Sequence, residues 1–246
     1  MSGHSKWATI KHAKGAADAK RGQMFTKLIK EISIAARMGG GLPDSNPRLR
    51  TAILKARAAN MPKDNIERAI KKGTGELEGV NYEELAYEAY APGGVALLIE
   101  VLTDNKNRAA ADVRNILTKA GGQLATAGSV SRLFKRLGVI TLDGDKYTED
   151  QVMEAAIEGG ADDVALSDGV IEVTTAPEDF EAVVNALNAK EFETLQAEIS
   201  MVPDADVSLD NEGTAKAVRL IERLEENDDV QNVYSNINIP DGFEPE

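Results

Sequence analysis

Seven cations crowd into 25 residues near the start of the chain: Lys6, Lys11, Lys14, Lys20, Arg21, Lys27 and Lys30, opposed only by Asp18. Side chains of one sign at that density have a simple chemistry, the neutralisation of a polyanion. Each one set against a phosphate displaces condensed counterions, which gives affinity without reading any sequence. Trp7, the only tryptophan, stands between Lys6 and Lys11. An indole there has two uses: stacking on an unpaired base, worth about 1–3 kcal/mol, or packing back on neighbouring helices as an apolar anchor. Arg37, Arg48, Arg50 and Lys63 continue the basic series, and together these residues are candidate phosphate and base contacts. A second group lies in residues 101–136, where Lys106, Arg108, Arg114, Lys119, Arg132, Lys135 and Arg136 are opposed only by Asp104 and Asp112. Lys106 and Arg108 join the candidates, because two basic surfaces suit a groove that tracks a backbone.

Other chemistries find little support. Histidine occurs only at His4 and His12, so a Ser-His-Asp triad would have to draw its base from the basic arm. Two histidines without any cysteine also make a poor metal site. Asp143, Asp145 and Glu154 have the spacing of calcium-loop positions one, three and twelve, but position six is Thr148, where the sharp turn needs glycine. A tight turn at Asp143-Gly144-Asp145, followed by a capping box of Thr148 and Gln151, accounts for the same residues. Gly39 to Gly41 is not followed by the Gly-Lys-Ser/Thr of a phosphate loop. A hydrolase would have to use carboxylates scattered over solvated helix faces. No catalytic step, metal or cofactor is expected.

The 28 Lys+Arg and 41 Asp+Glu of the 246 residues give a net charge of −13, which as an average argues against nucleic acid. The average conceals two parts. Residues 1–72 hold 16 Lys/Arg against 5 Asp/Glu, a surplus of 11, whereas residues 73–246 hold 12 against 36, a deficit of 24. Such an asymmetry marks a part that meets a polyanion joined to parts with another task. The absence of cysteine excludes disulfides, thiolate metal sites and cysteine nucleophiles, and fits a reducing compartment. With 42% apolar but only 4% aromatic residues, the cores must be built of Val, Ile, Leu and Ala. The most apolar stretch, Val95 to Leu102, is interrupted by Glu100 and falls well short of the roughly 18–20 residues of a membrane span. The first 17 residues have no apolar run of a secretory signal and no arginine. The expectation is a cytoplasmic protein without membrane contact, with a monomer as the default state.

These side chains need elements to position them. Residues 1–17 lack a stable period and read as a flexible basic arm. From Ala19 to Met38, Phe25, Leu28, Ile29, Ile32 and Ala36 recur at helical steps, and Lys20, Lys27, Lys30 and Arg37 fall on the other side, which predicts a helix with a basic outer face. Gly39 to Gly41 stop it. Asn46-Pro47 restarts a helix with the stripe Leu49, Ala52, Ile53 and Ala56. A third helix opens at Met61-Pro62 and closes at Lys71-Lys72-Gly73, with Ile66, Ala69 and Ile70 inside. Residues 18–78 are thus a three-helix bundle.

After a linker the pattern becomes α/β. Leu85 to Tyr90 and Val95 to Leu102 predict a hairpin about Pro92-Gly93-Gly94, followed by a helix from Arg108 to Ala120. A helix around Ala217 to Leu224 and a strand from Val230 to Ile239 complete this part. Between them lie strand 139–142, helix 148–158, strands 163–166 and 170–174 about Asp168-Gly169, helix 178–189 and strand 195–201. That β-α-β-β-α-β order is the ferredoxin-like pattern. The fold class expected is multi-domain α+β, an N-terminal three-helix bundle followed by two α/β domains, one ferredoxin-like (135–206) and inserted in the other (79–134 plus 207–240).

Several ordered motifs resemble one family throughout the chain. They are Gly3-His4-Ser5-Lys6-Trp7, Asp18-Ala19-Lys20-Arg21-Gly22 with Phe25-Thr26-Lys27, Asn46-Pro47-Arg48-Leu49-Arg50, Asn60-Met61-Pro62-Lys63-Asp64, Tyr87 to Gly94, Thr103 to Arg108 and Gly128-Ser129-Val130. Together they resemble the YebC/PmpR family, whose mitochondrial relatives are translational activators of cytochrome c oxidase. The resemblance implies three domains and a non-enzymatic regulator, with bacterial members described as DNA-binding transcriptional regulators and others as translation factors on the ribosome. Two departures stand out. Lys11-His12-Ala13-Lys14 replaces a more lysine-rich run, which lowers the arm's charge, and Arg132 stands where an apolar residue is common. Two partners remain open: duplex DNA, for a transcription regulator without a recognisable base-reading helix, or structured ribosomal RNA, which the arm and Trp7 suit.

Overall fold

The computed structural model describes residues 18–240 and Phe243, with side chains from Arg21 onward. Helix α1 (Asp18–Gly39) lays Phe25, Leu28, Ile29, Ile32 and Ala36 against α2 (Pro47–Ala58) and α3 (Lys63–Thr74), whose Leu49, Ala52, Ile53, Ala56, Ile66 and Ala69 close the core of the bundle. Burial of these stripes holds the bundle together, at about 25 cal/mol for each Å² removed from water. Helix α1 ends where Gly40 adopts φ 84°. The buried Asn46 then does two jobs. Its side-chain oxygen accepts from the Leu49 amide at 3.1 Å as the cap of α2, and its Nδ2 donates at 2.8 Å to the carbonyls of Ala35 and Gly40.

The third helix does not stop at Gly73, as its sequence predicts, but runs to Thr74, and Gly75 supplies the left-handed residue at φ 83°. Gly73 has a different reason to be glycine. A Cβ there would lie 2.2 Å from the Ser33 carbonyl oxygen, so the missing side chain lets α3 approach α1. The Ser33 hydroxyl donates to the Ala69 carbonyl at 3.1 Å in the same contact.

The first α/β part is a sheet in the order β3 (Gln123–Leu124), β1 (Glu83–Tyr90), β2 (Ala96–Thr103) and β9 (Val230–Ser235). Strands β1 (Glu83–Tyr90) and β2 (Ala96–Thr103) form the expected antiparallel hairpin with Tyr90 opposite Ala96. β2 is buried on both faces apart from the half-buried Glu100, as a central strand must be. Helix α4 (Lys106–Lys119) is capped by Asn105, and the two-residue β3 (Gln123–Leu124) adds an edge beside β1. Helix α7 (Asn211–Glu225) buries Ala217, Val218, Leu220, Ile221 and Leu224 before β9 (Val230–Ser235) returns to the sheet.

The other α/β part follows the chain order β4 (Phe134–Asp143), α5 (Glu149–Glu158), β5 (Asp163–Ser167), β6 (Val170–Thr175), α6 (Phe180–Ala189) and β7 (Thr194–Pro203). Its sheet runs β5-β6-β4-β7, with every neighbouring pair antiparallel. Ile140, Leu142, Ile171 and Val173 form a core with Val152, Ala155, Val183 and Leu187 of the two helices. The capping box at α5 is present, with Thr148 and Gln151 each bonded to the other's backbone amide. The strand expected over 230–239 breaks at Asn236, whose carbonyl accepts from the Val207 amide at 2.7 Å. Past that break, β10 (Ile237–Asn238) pairs in parallel with β8 (Val207–Ser208).

By compactness the molecule divides differently from the sequence reading. One unit takes the described residues through Ala127 with Lys216–Val233, and the other takes Gly128–Ala215 with the described residues from Tyr234. The bundle shares its unit with the first sheet because polar side chains of α1 bind the end of α7. Among the described residues no helix is long and apolar enough to cross a membrane.

Candidate nucleic-acid interface

Lys6, Trp7, Lys11, Lys14 and the side chain of Lys20 lie outside the described residues. The first candidate in view is Arg21, exposed near the start of α1. Beyond it part of the polar side of α1 is turned inward. Gln23, Lys27 and Lys30, spaced four and three residues apart, meet the segment that follows α7. Gln23 Nε2 donates to the Glu226 carbonyl, and Lys27 Nζ to the Glu225 carbonyl at 2.5 Å. Lys30 Nζ donates to the Asp228 carbonyl at 2.8 Å, to Asp229 Oδ1 at 2.7 Å and to the Leu102 carbonyl at 3.3 Å, and sits 5.6 Å from the centre of the Tyr82 ring. The last carbonyls of a helix have no partner within it and carry its negative end, so cations and amides from a neighbour satisfy both demands. The basic outer face expected of α1 is corrected at Lys30, which is only 7% exposed, whereas Arg37 is exposed as expected.

Asp229 holds this junction together. Its buried carboxylate accepts from Lys30, from the Thr103 hydroxyl at 3.1 Å, and from Arg108 Nε and Nη2 at 3.2 and 2.8 Å. Burial pushes its pKa up, but the hydrogen bonds from Lys30 and Arg108, the Lys30 charge and the Thr103 hydroxyl outweigh that and hold it below the usual 3.8. Arg108 also grips Asp104 at 2.6 Å, and these carboxylates raise its pKa further. Beside the junction lies a cleft of about 540 Å³, lined by Lys30, Arg108, Thr26, Tyr82, Asn227 and five carboxylates, Asp104, Asp112, Glu226, Asp228 and Asp229. Its acids outnumber its two cations, both already paired, so it repels phosphate.

Other candidates are also engaged. Arg48 binds Glu31 through Nε and Nη2 at 2.7 and 3.1 Å and reaches Glu84 at 2.5 Å. Although burial works against its charge, the hydrogen bonds and charges of Glu31 and Glu84 raise its pKa. Arg50 donates to the Pro43 carbonyl, Arg37 to the Tyr82 carbonyl and Asn81, and Lys106 pairs with Glu83 at 2.5 Å. Lys63 is 83% exposed and meets Glu67 at 3.4 Å, a solvated i,i+4 pair. In the second basic group Lys135 holds Asp204 at 2.6 Å.

One set of cations was not among the sequence candidates. Arg68, Lys71 and Lys72 of α3 are exposed, and among the described residues they make no ion pair. They fall at i, i+3 and i+4, opposite the Ile66, Ala69 and Ile70 side of the helix. That spacing is legible in the sequence, but the denser run of cations before it is the stronger local signal.

The fold and charge define a class: a multi-domain α+β protein whose positive charge is gathered on N-terminal helices and whose remaining parts are acidic. Within that class the chain belongs to the TACO1/YebC family. The model of the TACO1/YebC protein N-terminal domain matches residues 5–76, and that of the TACO1/YebC second and third domain matches residues 82–237. A protein of Treponema denticola is 69% identical over 99% of both chains, and one of Syntrophobacter fumaroxidans is 58% identical over 98% of this chain and 97% of its own. Both are named probable transcriptional regulatory proteins. The crystal structure of a conserved hypothetical protein from Aquifex aeolicus superposes with a TM-score of 0.83 at 46% identity, covering 93% of this chain and 95% of that one.

Proposed function

We propose that this protein is a nucleic-acid-binding regulator of gene expression, of the DNA-binding, transcription-regulating kind, acting in the cytoplasm without a catalytic step. The observation that carries the reading is the separation of charge, a surplus of 11 positive charges in residues 1–72 against a deficit of 24 in the remainder. The basic part makes phosphate contacts, and the acidic part limits adhesion elsewhere. The names of relatives that match the chain end to end support the regulatory role. Trp7 between two lysines favours a second reading, a ribosome-associated translation factor on structured RNA, because aromatic rings stack on unpaired bases. The sheet order β5-β6-β4-β7 supports a ferredoxin-like module set within the other α/β domain.

Binding of the full chain to duplex DNA and to ribosomes, measured in parallel over a salt series, tests the reading. The expected result is DNA binding whose affinity falls linearly in log-log form with salt. Ribosome association that survives at salt concentrations stripping the DNA overturns transcription as the main role, and no binding to either probe overturns the nucleic-acid reading itself.

A further inference from the structure

We propose that the nucleic-acid phosphate backbone lies along α3, on Arg68, Lys71 and Lys72, and not along α1. This rests on the nucleic-acid reading above and narrows it to one surface. Helix α1 carries the denser run of cations, but past the exposed Arg21 its described cations are engaged: Lys27 caps the end of α7, Lys30 is buried against Asp229, and Arg37 donates to the Tyr82 carbonyl while keeping an exposed edge. Moving Lys30 to a phosphate would leave Asp229 buried beside the acids of the adjoining cleft. Nothing comparable restrains α3. Its three cations project from one face of a single rigid helix, the nearby Glu67 is occupied by Lys63, and the apolar stripe lies on the opposite side in the bundle core. A face of three cations, with Asp64 one turn before Arg68 and the exposed Val80 at its Lys72 end, remains net positive and matches a polyanion.

The surface is also continuous with a second cation. Arg37 and Lys72 border the same small cleft with Asn81 and Tyr82, so a strand running along α3 meets the exposed edge of Arg37 as well. The contacts are point charges and include no base-reading element, so the surface is sequence-independent, and a duplex or an RNA backbone satisfies the same chemistry.

The test uses the full chain, wild type and the R68Q/K71Q/K72Q variant, on a random-sequence DNA duplex and an RNA hairpin across a salt series. Each lost contact removes about 0.9 from the log-log slope on duplex, so the variant's slope is expected to be shallower by about 2–3. R68Q alone is expected to lose about 0.9, which keeps the test open should the triple variant fold poorly. The probe on which the slope falls identifies the backbone recognised. A slope unchanged on both probes, with wild-type binding intact, overturns the α3 surface and leaves the nucleic-acid reading standing. Wild-type protein that binds neither probe overturns both.

Discussion

Removing the Asp229 carboxylate leaves the Lys30 ammonium buried without its counter-charge. Breaking a buried pair in this way costs about 3–5 kcal/mol, so Asp229→Asn is expected to lower unfolding stability by that order in a urea titration. The same residue has a pH signature. Its folded pKa is below the ordinary 3.8, so its contribution is fully present above that value and is lost as the pH falls through the lower folded one. The stability gap between wild type and Asp229→Asn is therefore expected to be constant at neutral pH and to shrink below about pH 3.8. A gap unchanged by acid would mean that Asp229 acts through shape and not charge.

Elements here are fixed by a few side chains that serve two neighbours at once. Asn46→Ala removes the cap of α2 and the donors to Ala35 and Gly40, with an expected cost of about 2 kcal/mol. Asn46→Asp keeps the cap but turns those donors into acceptors, so it is expected to fail as a rescue in the same denaturation assay. The glycines of the bundle divide similarly. Gly73→Ala drives a methyl group into the Ser33 carbonyl and is expected to cost about 1–3 kcal/mol, whereas Gly22→Ala, in α1 with nothing within 4 Å, is expected to stabilise by about 0.5–1 kcal/mol. Thermal midpoints of the two variants moving in the same direction would contradict the close α1–α3 approach.

At the scale of the whole molecule the net charge of −13 describes neither part, and binding depends on how charge is distributed. Removing residues 1–17 takes away Lys6, Lys11 and Lys14 and is expected to make the duplex salt slope shallower by about 3. A slope unaffected by the truncation would confine binding to the helices.

Local order was legible because it is written in local signals: the helical period from Phe25 to Ala36, the Asn46-Pro47 start, the Thr148 and Gln151 box, and the β2 run that had to be central. The end of α3 lies beyond Gly73 because Gly73 resembles a stop only in sequence, and the approach of Ser33 shows it to be a packing glycine. The basic run of α1 was legible as charge but not as interface. Periodicity tells which side of a helix is apolar; it does not tell what the polar side meets. Lys30 finds Asp229 across 199 residues of chain, and no spacing rule reaches that far. The sequence by itself determined the elements, the family and the concentration of positive charge at the N-terminus. Only the tertiary structure decided which cations are consumed in holding the bundle to the first sheet and which, on α3, are left facing solvent, because pairing depends on distances that folding alone creates.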